Sequence, residues 1–402
     1  MKYIVITSLQ SWYIDVGSNC KDIALELSKK NRVIFVNRAY DRITNIRILL
    51  NKLDKKAGRG SLEQINPNLW VYTPKVIFES VNWINNSTLY DFIGNVKGKK
   101  WSDEVLRVTK KLGFDDPTFI IDNDFLRGPF YAKYFKCKSL IYYLRDNLLS
   151  QPYFYKHGKR LEKRLMKSAD FVFANSTYLC EYAKKDNPES YYIGQGFDKT
   201  YFSNIEKSEG LLSGISKPII GYVGNLTSIR IDVALLEYLA SNNKEWNFVF
   251  VGPEDEVFKK SDLHSLSNVF FIGKVTPDKV PFYIKEFSVC INPQLLNEMT
   301  IGNYPRKIDE YLSVGEPVVA LKTPGMEPFA EHVYLAENFT DFAVMIKKAL
   351  EENSTELAEK RRKFAEEHTW ENSVNKIFQT LGKNKKELMP SDFVYTKNTV
   401  EN

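Results

Sequence analysis

Apolar runs of five or six residues recur through the first 175 positions: "YIVIT" (3–7), "VIFVN" (33–37), "LWVYT" (69–73), "TFIID" (118–122), "SLIYYL" (139–144) and "FVFAN" (171–175). Longer polar segments with helical spacing separate most of them. In "NCKDIALELSKKN", Ile23, Ala24, Leu25 and Leu27 can face a sheet while Lys21, Glu26, Lys29 and Lys30 face water. After the Ser-, Gly- and Lys-rich stretch "SNIEKSEGLLSGISKP" a second series begins, "IIGYVG" (219–224), "NFVFVG" (247–252), "VFFIG" (269–273), "FSVCIN" (287–292) and "PVVAL" (317–321). Near-continuous apolar strands are expected where both faces of a parallel sheet are covered, and right-handed crossovers then give doubly wound layers. The pattern predicts an α/β protein with two tandem doubly wound, Rossmann-like domains and a cleft between them. Residues 1–204 form the first domain, 205–382 the second with its terminal amphipathic helices, and 383–402 a polar tail.

Length agrees with two cores, since 402 residues exceed what one usually fills. The net charge of +6 is spread among nearly as many acids as bases, which suits an anionic ligand better than nucleic acid. Four scattered cysteines, Cys20, Cys137, Cys180 and Cys290, encode neither a disulfide framework nor a zinc site. No apolar run reaches a membrane-spanning length and the first residues lack a signal-peptide core, so a cytoplasmic location is expected.

Ligands of such sheets sit beyond the C-terminal ends of the strands. The segment "NYPRKIDEYLSVGEPVVA" (303–320) is one of these turns. Pro305 suits the first helical position and Gly315 the end, predicting a helix of about three turns. Its amide-rich mouth favours an anion, and Arg306 and Lys307 add charge there. Lys307 and Glu310 share a face, so a cation can hold phosphate while a carboxylate one turn on accepts from a ribose diol. A solvated Lys307–Glu310 ion pair is the plainer reading of the same residues.

The motifs "GYVGNLTSIRIDVALLEYLA", "NFVFVGP", "NVFFIGKVTPDKVPFYIKEFSVCINPQ", "PRKIDEYLSVGEPVVA" and "EEHTW" resemble the donor-binding half of GT-B glycosyltransferases. The nearest type is the retaining family 4 group that builds bacterial surface polysaccharides. "SNCKDIALELSKKNRVIFVN" and "ADFVFANSTYLCEYAKK" resemble the acceptor half. The resemblance implies hexosyl transfer from a nucleotide-diphosphate sugar, UDP- or GDP-linked, to a glycan or lipid-linked saccharide in capsule, exopolysaccharide or O-antigen synthesis. No cofactor, metal or nucleic acid is implied.

Carried onto this chain, Glu310 matches the second glutamate of the family's paired motif, which holds the donor ribose, and Lys307 the cation near the diphosphate. The first glutamate has no counterpart, because Gly302 stands at its spacing; Asn297, Glu298 and Thr300 are the nearby polar candidates. After Gly224, Asn225 occupies the family's arginine position, and Arg230 lies close to the lysine position, so Arg230, Arg306 and Lys307 are expected to share the diphosphate. In the first domain Gly17 and Ser18 open a helix near the acceptor, with Asn19 as a cap. Asp146, after "IYYLRDN", is placed to orient the acceptor hydroxyl or take its proton; an ion pair with Arg145 is its plainer role.

His157 is a second base candidate, and His368 in "EEHTW" is expected to pack where the tail crosses back. Asp122 and Asp124 in "IIDNDF" raise the rival of a metal-binding DxD motif. The segment 41–60 mixes Arg and Lys with Ile and Leu at helical spacing, a candidate contact with an anionic membrane at its inner face. Two alternatives stay open: a nucleotide-sugar epimerase of the same fold, and a non-catalytic nucleotide- or sugar-binding protein.

Overall fold

The computed structural model describes residues 2–13, 18–49, 58–197, 199–202, 205 and 209–387. Strands β1 (Tyr3–Ser8), β2 (Arg32–Val36), β3 (Leu62–Asn66), β4 (Leu69–Tyr72), β5 (Thr118–Asp122), β6 (Ser139–Leu144), β7 (Phe171–Ala174) and β8 (Ser190–Tyr192) form one sheet. Its order is β3-β4-β2-β1-β5-β6-β7-β8, parallel except for β3. Strands β9 (Ile219–Val223), β10 (Asn247–Val251), β11 (Val269–Gly273), β12 (Val289–Asn292), β13 (Val318–Leu321) and β14 (Tyr334–Ala336) form the second, in the order β11-β10-β9-β12-β13-β14. Every apolar run named above becomes one of these strands. The chain reverses direction across each sheet between β1 and β5 and between β9 and β12, the switch points where doubly wound sheets open a crevice.

Both faces of the first sheet are covered, which is why its strands lack alternation. Val5 packs with Ile34 and Phe119 on one side, while Ile4 and Ile6 pack with Ile23 and Phe35 on the other. The helix Asn19–Ser28 buries Ile23, Ala24 and Leu27, but Leu25 points outward at 36% exposure. The tail forms three helices, Phe339–Glu352, Thr355–Glu366 and Trp370–Glu387. The last one leaves the second domain: Trp370, Val374 and Ile377 join the first sheet's outer core, and Lys2 Nζ sits 4.5 Å over the Phe378 ring. It also runs beyond Gly382, where the pattern ended. Conversely, Phe197 and Phe202 pack into the second domain's core. Residues 388–402, most of the expected polar tail, lie outside the described residues.

Candidate active site

A cleft of about 650 Å3 lies between the strand ends of the two sheets. Its first-domain wall carries Gln10, Asp22, Arg145 and Asp146; its second-domain wall carries Arg230, Gln294, Thr300, Arg306, Lys307 and Glu310. Three of these second-domain side chains are cationic and one is a carboxylate, so that wall favours an anion. Among the ties that cross the gap, Arg306 Nη1 lies 3.3 Å from Asp22 Oδ2, Asn147 Nδ2 donates to the Glu298 carbonyl at 2.8 Å, and Gln151 Nε2 donates to Met299 Sδ at 3.6 Å.

The helix at its centre is Arg306–Val314. Pro305 is its N-cap residue and not its first helical residue, because the chain turns tightly there and the Arg306 N–H donates to the Tyr304 carbonyl. The helix ends at Gly315 in the left-handed region, φ 91°. Its amphipathic inner face buries Ile308, Tyr311 and Leu312, and the Tyr311 hydroxyl accepts from the Val223 N–H at 3.0 Å, fixing the helix to β9. Beneath its first turn, buried Asp309 accepts from the Tyr304 hydroxyl at 2.7 Å and lies 2.7 Å from His368 Nδ1. Burial pushes the Asp309 carboxyl up, partly offset by His368 and Tyr304. His368 thus props the helix mouth from below, in the manner expected of a tail that crosses back.

The Lys307–Glu310 ion pair, the plainer reading of these residues, does not form. Glu310 accepts from Arg306 Nε at 3.2 Å, and Arg306 reaches on to Asp22. Among the described residues no carboxylate lies within ion-pair distance of Lys307. Its stem runs across Gly224 at the end of β9, and Nζ rests 5.5 Å from the centre of the Tyr222 ring. A Cβ on Gly224 would stand 2.1 Å from Lys307 Cε, and the backbone there has φ +142°. The glycine is required twice over, by its conformation and by the lysine that crosses it.

On the opposite wall, Arg145 donates to buried Asp122 at 2.8 Å and lies 3.0 Å from Asp146 Oδ2. Burial pushes the Asp146 carboxyl up, against the opposing pull of Arg145 and Arg230. Asp122 also accepts from Ser8 Oγ, so its oxygens are engaged within the fold. Among the described residues no three His, Cys, Asp or Glu side chains converge as a metal site.

Other expected residues are engaged within the fold or stand away from the cleft. Asn297 holds its own loop together, accepting from the Met299 and Thr300 N–H groups at 2.9 and 3.0 Å and donating to the Ile229 carbonyl. Thr300 is buried and its hydroxyl donates to the Leu295 carbonyl. Asn225 is exposed, and neither it nor Glu298 is among the side chains lining the cleft. Ser18 precedes the helix Asn19–Ser28 and donates to Gln10 Oε1 at 2.8 Å; Asn19 is the first helical residue and not its cap. Gly17 lies outside the described residues. His157 is buried within the first domain, stacked on Tyr90 at 4.0 Å and bonded to the Ile84 carbonyl. None of the four histidines lines the cleft.

Several lining residues carry no sequence signal. Asn175 donates to Gln195 Oε1 at 2.8 Å, and Gln195 to Asn19 Oδ1 at 3.4 Å, making a polar ledge across three first-domain elements. Asn175 Oδ1 and Asn303 Oδ1 are buried with no hydrogen-bond partner. Buried acceptors left open in a cleft suit ligand hydroxyls.

Residues 217–352 match the family model of glycosyl transferases group 1. Over 253 residues, 59% of this chain, the sequence is 26% identical to the protein named as the teichuronic acid biosynthesis glycosyltransferase TuaH of Bacillus subtilis (strain 168). The match spans 63% of that relative, just under two thirds of its length. Sucrose-phosphate synthase from Thermosynechococcus elongatus superposes with a TM-score of 0.72 at 14% identity, over 96% of this chain and 100% of that one. Anabaena HepE in complex with UDP superposes with a TM-score of 0.67 at 17% identity, over 95% and 100%. At these identities the likeness is one of fold, the two-domain GT-B arrangement.

Proposed function

We propose that this chain, whose second sheet is a glycosyl transferases group 1 domain on a GT-B frame, is a glycosyltransferase of surface-polysaccharide synthesis. The observation that carries this reading is the cationic, hydroxyl-seeking cleft built from both sheets' switch points, with Lys307 and Glu310 on one helix at its centre. A UDP-sugar is the donor we favour, because HepE, of the same fold, is known with UDP. Its diphosphate lies against Lys307, Arg306 and Arg230, and its ribose against Glu310.

Chemically, the bond between sugar C1 and the phosphate oxygen breaks as C1 bonds to an acceptor hydroxyl. The acceptor's proton passes to the departing phosphate oxygen, so the step needs no enzymic nucleophile. The cations stabilise charge that grows on the leaving diphosphate. Asp146 orients the hydroxyl from the opposite wall. The product is expected to keep the donor's anomeric configuration, read from the anomeric proton coupling by NMR; an inverted product removes this route and returns Asp146 to the role of base.

Glu310→Ala tests the site directly. Loss of a hydrogen bond to a charged acceptor is expected to weaken UDP about tenfold. The same variant should bind 2′,3′-dideoxy-UDP as the parent does, because that ligand has no diol to lose. Equal weakening of both ligands in calorimetric titration would mean that the carboxylate acts on the fold and not on the ribose.

Among the described residues no helix is long and apolar enough to cross a membrane. We place the protein in the cytoplasm with its first domain against an anionic membrane, where a lipid-linked acceptor resides. Supporting this, the helix Arg42–Leu49 exposes Ile43 and Ile46, and the helix Ser87–Lys111 exposes Leu89, Phe92 and Val96 along one stripe near exposed Trp83. Lys156 Nζ reaches the Trp83 carbonyl, adding charge beside the apolar tip. The rest of the 41–60 segment, residues 50–57, lies outside the described residues. Sedimentation with vesicles rich in phosphatidylglycerol should exceed that with phosphatidylcholine, and Trp83→Ala with Phe92→Ala should abolish the difference; indifference to lipid charge would count against membrane docking.

A further inference from the structure

A second cavity, of about 230 Å3, opens in the first domain at the C-terminal ends of β1, β2 and β5. It shares no lining residue with the cleft, yet the two adjoin along the chain: Leu9 lines the cavity and Gln10 the cleft. The same division falls after β5. Asp122 turns toward Arg145 in the cleft wall, and Asp124 lines the cavity. Between them Asn123 takes the left-handed conformation, φ 53°, and its side chain accepts from the Arg145 N–H at 3.3 Å. One tight turn therefore serves both spaces.

The cavity contains buried charged groups whose polar atoms are only partly satisfied within the fold. Asp124 is 1% exposed and neither of its carboxylate oxygens has a hydrogen-bond partner; Arg127 is 7% exposed and its Nη1 has none either. Burial pushes the Asp124 carboxyl up, against the pull of Arg127 and Arg38. Arg38 adds a second guanidinium to the lining, and the like charge of Arg127 holds it below the usual value. Glu79 at the rim is turned to Arg42, 3.0 Å away. The remaining walls are largely aromatic, with Phe78, Tyr90, Phe130 and Tyr153 among them, and Arg127 stands 5.3 Å over the Phe78 ring. Asp124 offsets one of the two guanidinium charges and leaves the pair net positive, which favours an added anion, and its open carboxyl oxygens favour a hydroxyl that meets them. Flat aromatic walls supply a surface for the apolar face of a sugar ring.

We propose that this cavity binds the acceptor through one sugar unit bearing an acid group, with the acid on Arg38 and Arg127, a ring hydroxyl on Asp124 and the ring against the aromatic walls. The assignment rests on the transferase reading above and names the class of acceptor for it. The acid has two sources of the same chemistry: a phosphate on the anomeric carbon, as in a sugar linked to a lipid carrier, or a carboxylate on the sugar itself.

The full chain, saturated with UDP so that the donor side of the cleft is filled, is titrated calorimetrically with glucose 1-phosphate, glucuronate and glucose. At least one acidic sugar is expected to bind, with glucose weaker by about tenfold or more, and the better acidic probe identifies the source of the acid. Arg127→Gln should weaken that probe by about tenfold while leaving the affinity for UDP within about twofold. If Arg127→Gln does not fold, shown by loss of UDP binding, Arg38→Gln on the partly exposed wall gives the same readout. Glucose binding as tightly as both acidic sugars overturns the proposal. So does failure of all three sugars to bind while UDP still binds, or an Arg variant with unchanged affinity. Should UDP fail to bind the parent protein, the donor reading falls, and the sugars titrated alone still test the cavity.

Discussion

Lys307→Ala is expected to lower kcat/KM for release of UDP from the sugar donor by about 100-fold or more, with a thermal midpoint within a few degrees of the parent. The two halves of this expectation have different causes. Lys307 lines the cleft at the first turn of the helix Arg306–Val314, across the gap from Asp146, and no carboxylate among the described residues neutralises it. A cation that no carboxylate neutralises contributes little to folding, but it acts fully on charge that develops on a departing diphosphate. Arg306 is a weaker candidate for that work, since it is already shared between Glu310 and Asp22. Arg306 therefore cannot readily substitute for the missing lysine. Steady-state kinetics with a UDP-sugar and a thermal melt of the same sample decide the matter; full turnover in Lys307→Ala would remove the diphosphate from this helix.

The strands of both sheets were legible because a parallel sheet covered on two sides needs uninterrupted apolar runs, and "FVFAN" or "VFFIG" can do little else. Three strands were not. β3 reads "LEQIN", an edge strand with two exposed positions, and β8 and β14 are three residues long, too short for any period to show. The crossing of the helix Trp370–Glu387 onto the first sheet was invisible as well, because amphipathic spacing says that a helix has a buried face and not which core receives it.

At the site, the helix mouth could be read from Pro305, Arg306, Lys307 and Gly315, but its internal pairing could not. Spacing allows Glu310 to meet either Lys307 at three residues or Arg306 at four. Tertiary contact chose: Lys307 is drawn over Gly224 to Tyr222, leaving Arg306 to take Glu310 and, from the other domain, Asp22. Asp22 carries no sequence signal beyond being an acidic residue in the first turn of its helix. Asp309 and His368 are 59 positions apart and only the fold joins them. Asn297 drew notice as a polar residue near a motif, and turned out to satisfy its own backbone, the commonest employment of an asparagine in a tight loop.

The dependence of Lys307 on Gly224 gives a sharper test than either residue alone. Gly224→Ala is expected to cost about 1–3 kcal/mol of stability, because an L-residue is strained at φ +142°. It should also weaken UDP by about tenfold or more, since the new methyl occupies the space that Lys307 Cε crosses, 2.1 Å away. A lysine stem is flexible and can swing aside, so displacement of the ammonium, rather than distortion of β9, is the expected relief. The backbone offers little room of its own, because the Gly224 carbonyl is already pressed against Gly252, where a Cβ would stand 1.9 Å away. If the methyl acts by moving Lys307, its effect on UDP binding must vanish in a background that lacks the lysine. Gly224→Ala combined with Lys307→Ala should therefore bind UDP no more weakly than Lys307→Ala alone, while the stability loss persists. Additive losses in affinity would show that Gly224 meets the diphosphate through its own backbone, and that the lysine crossing it is incidental.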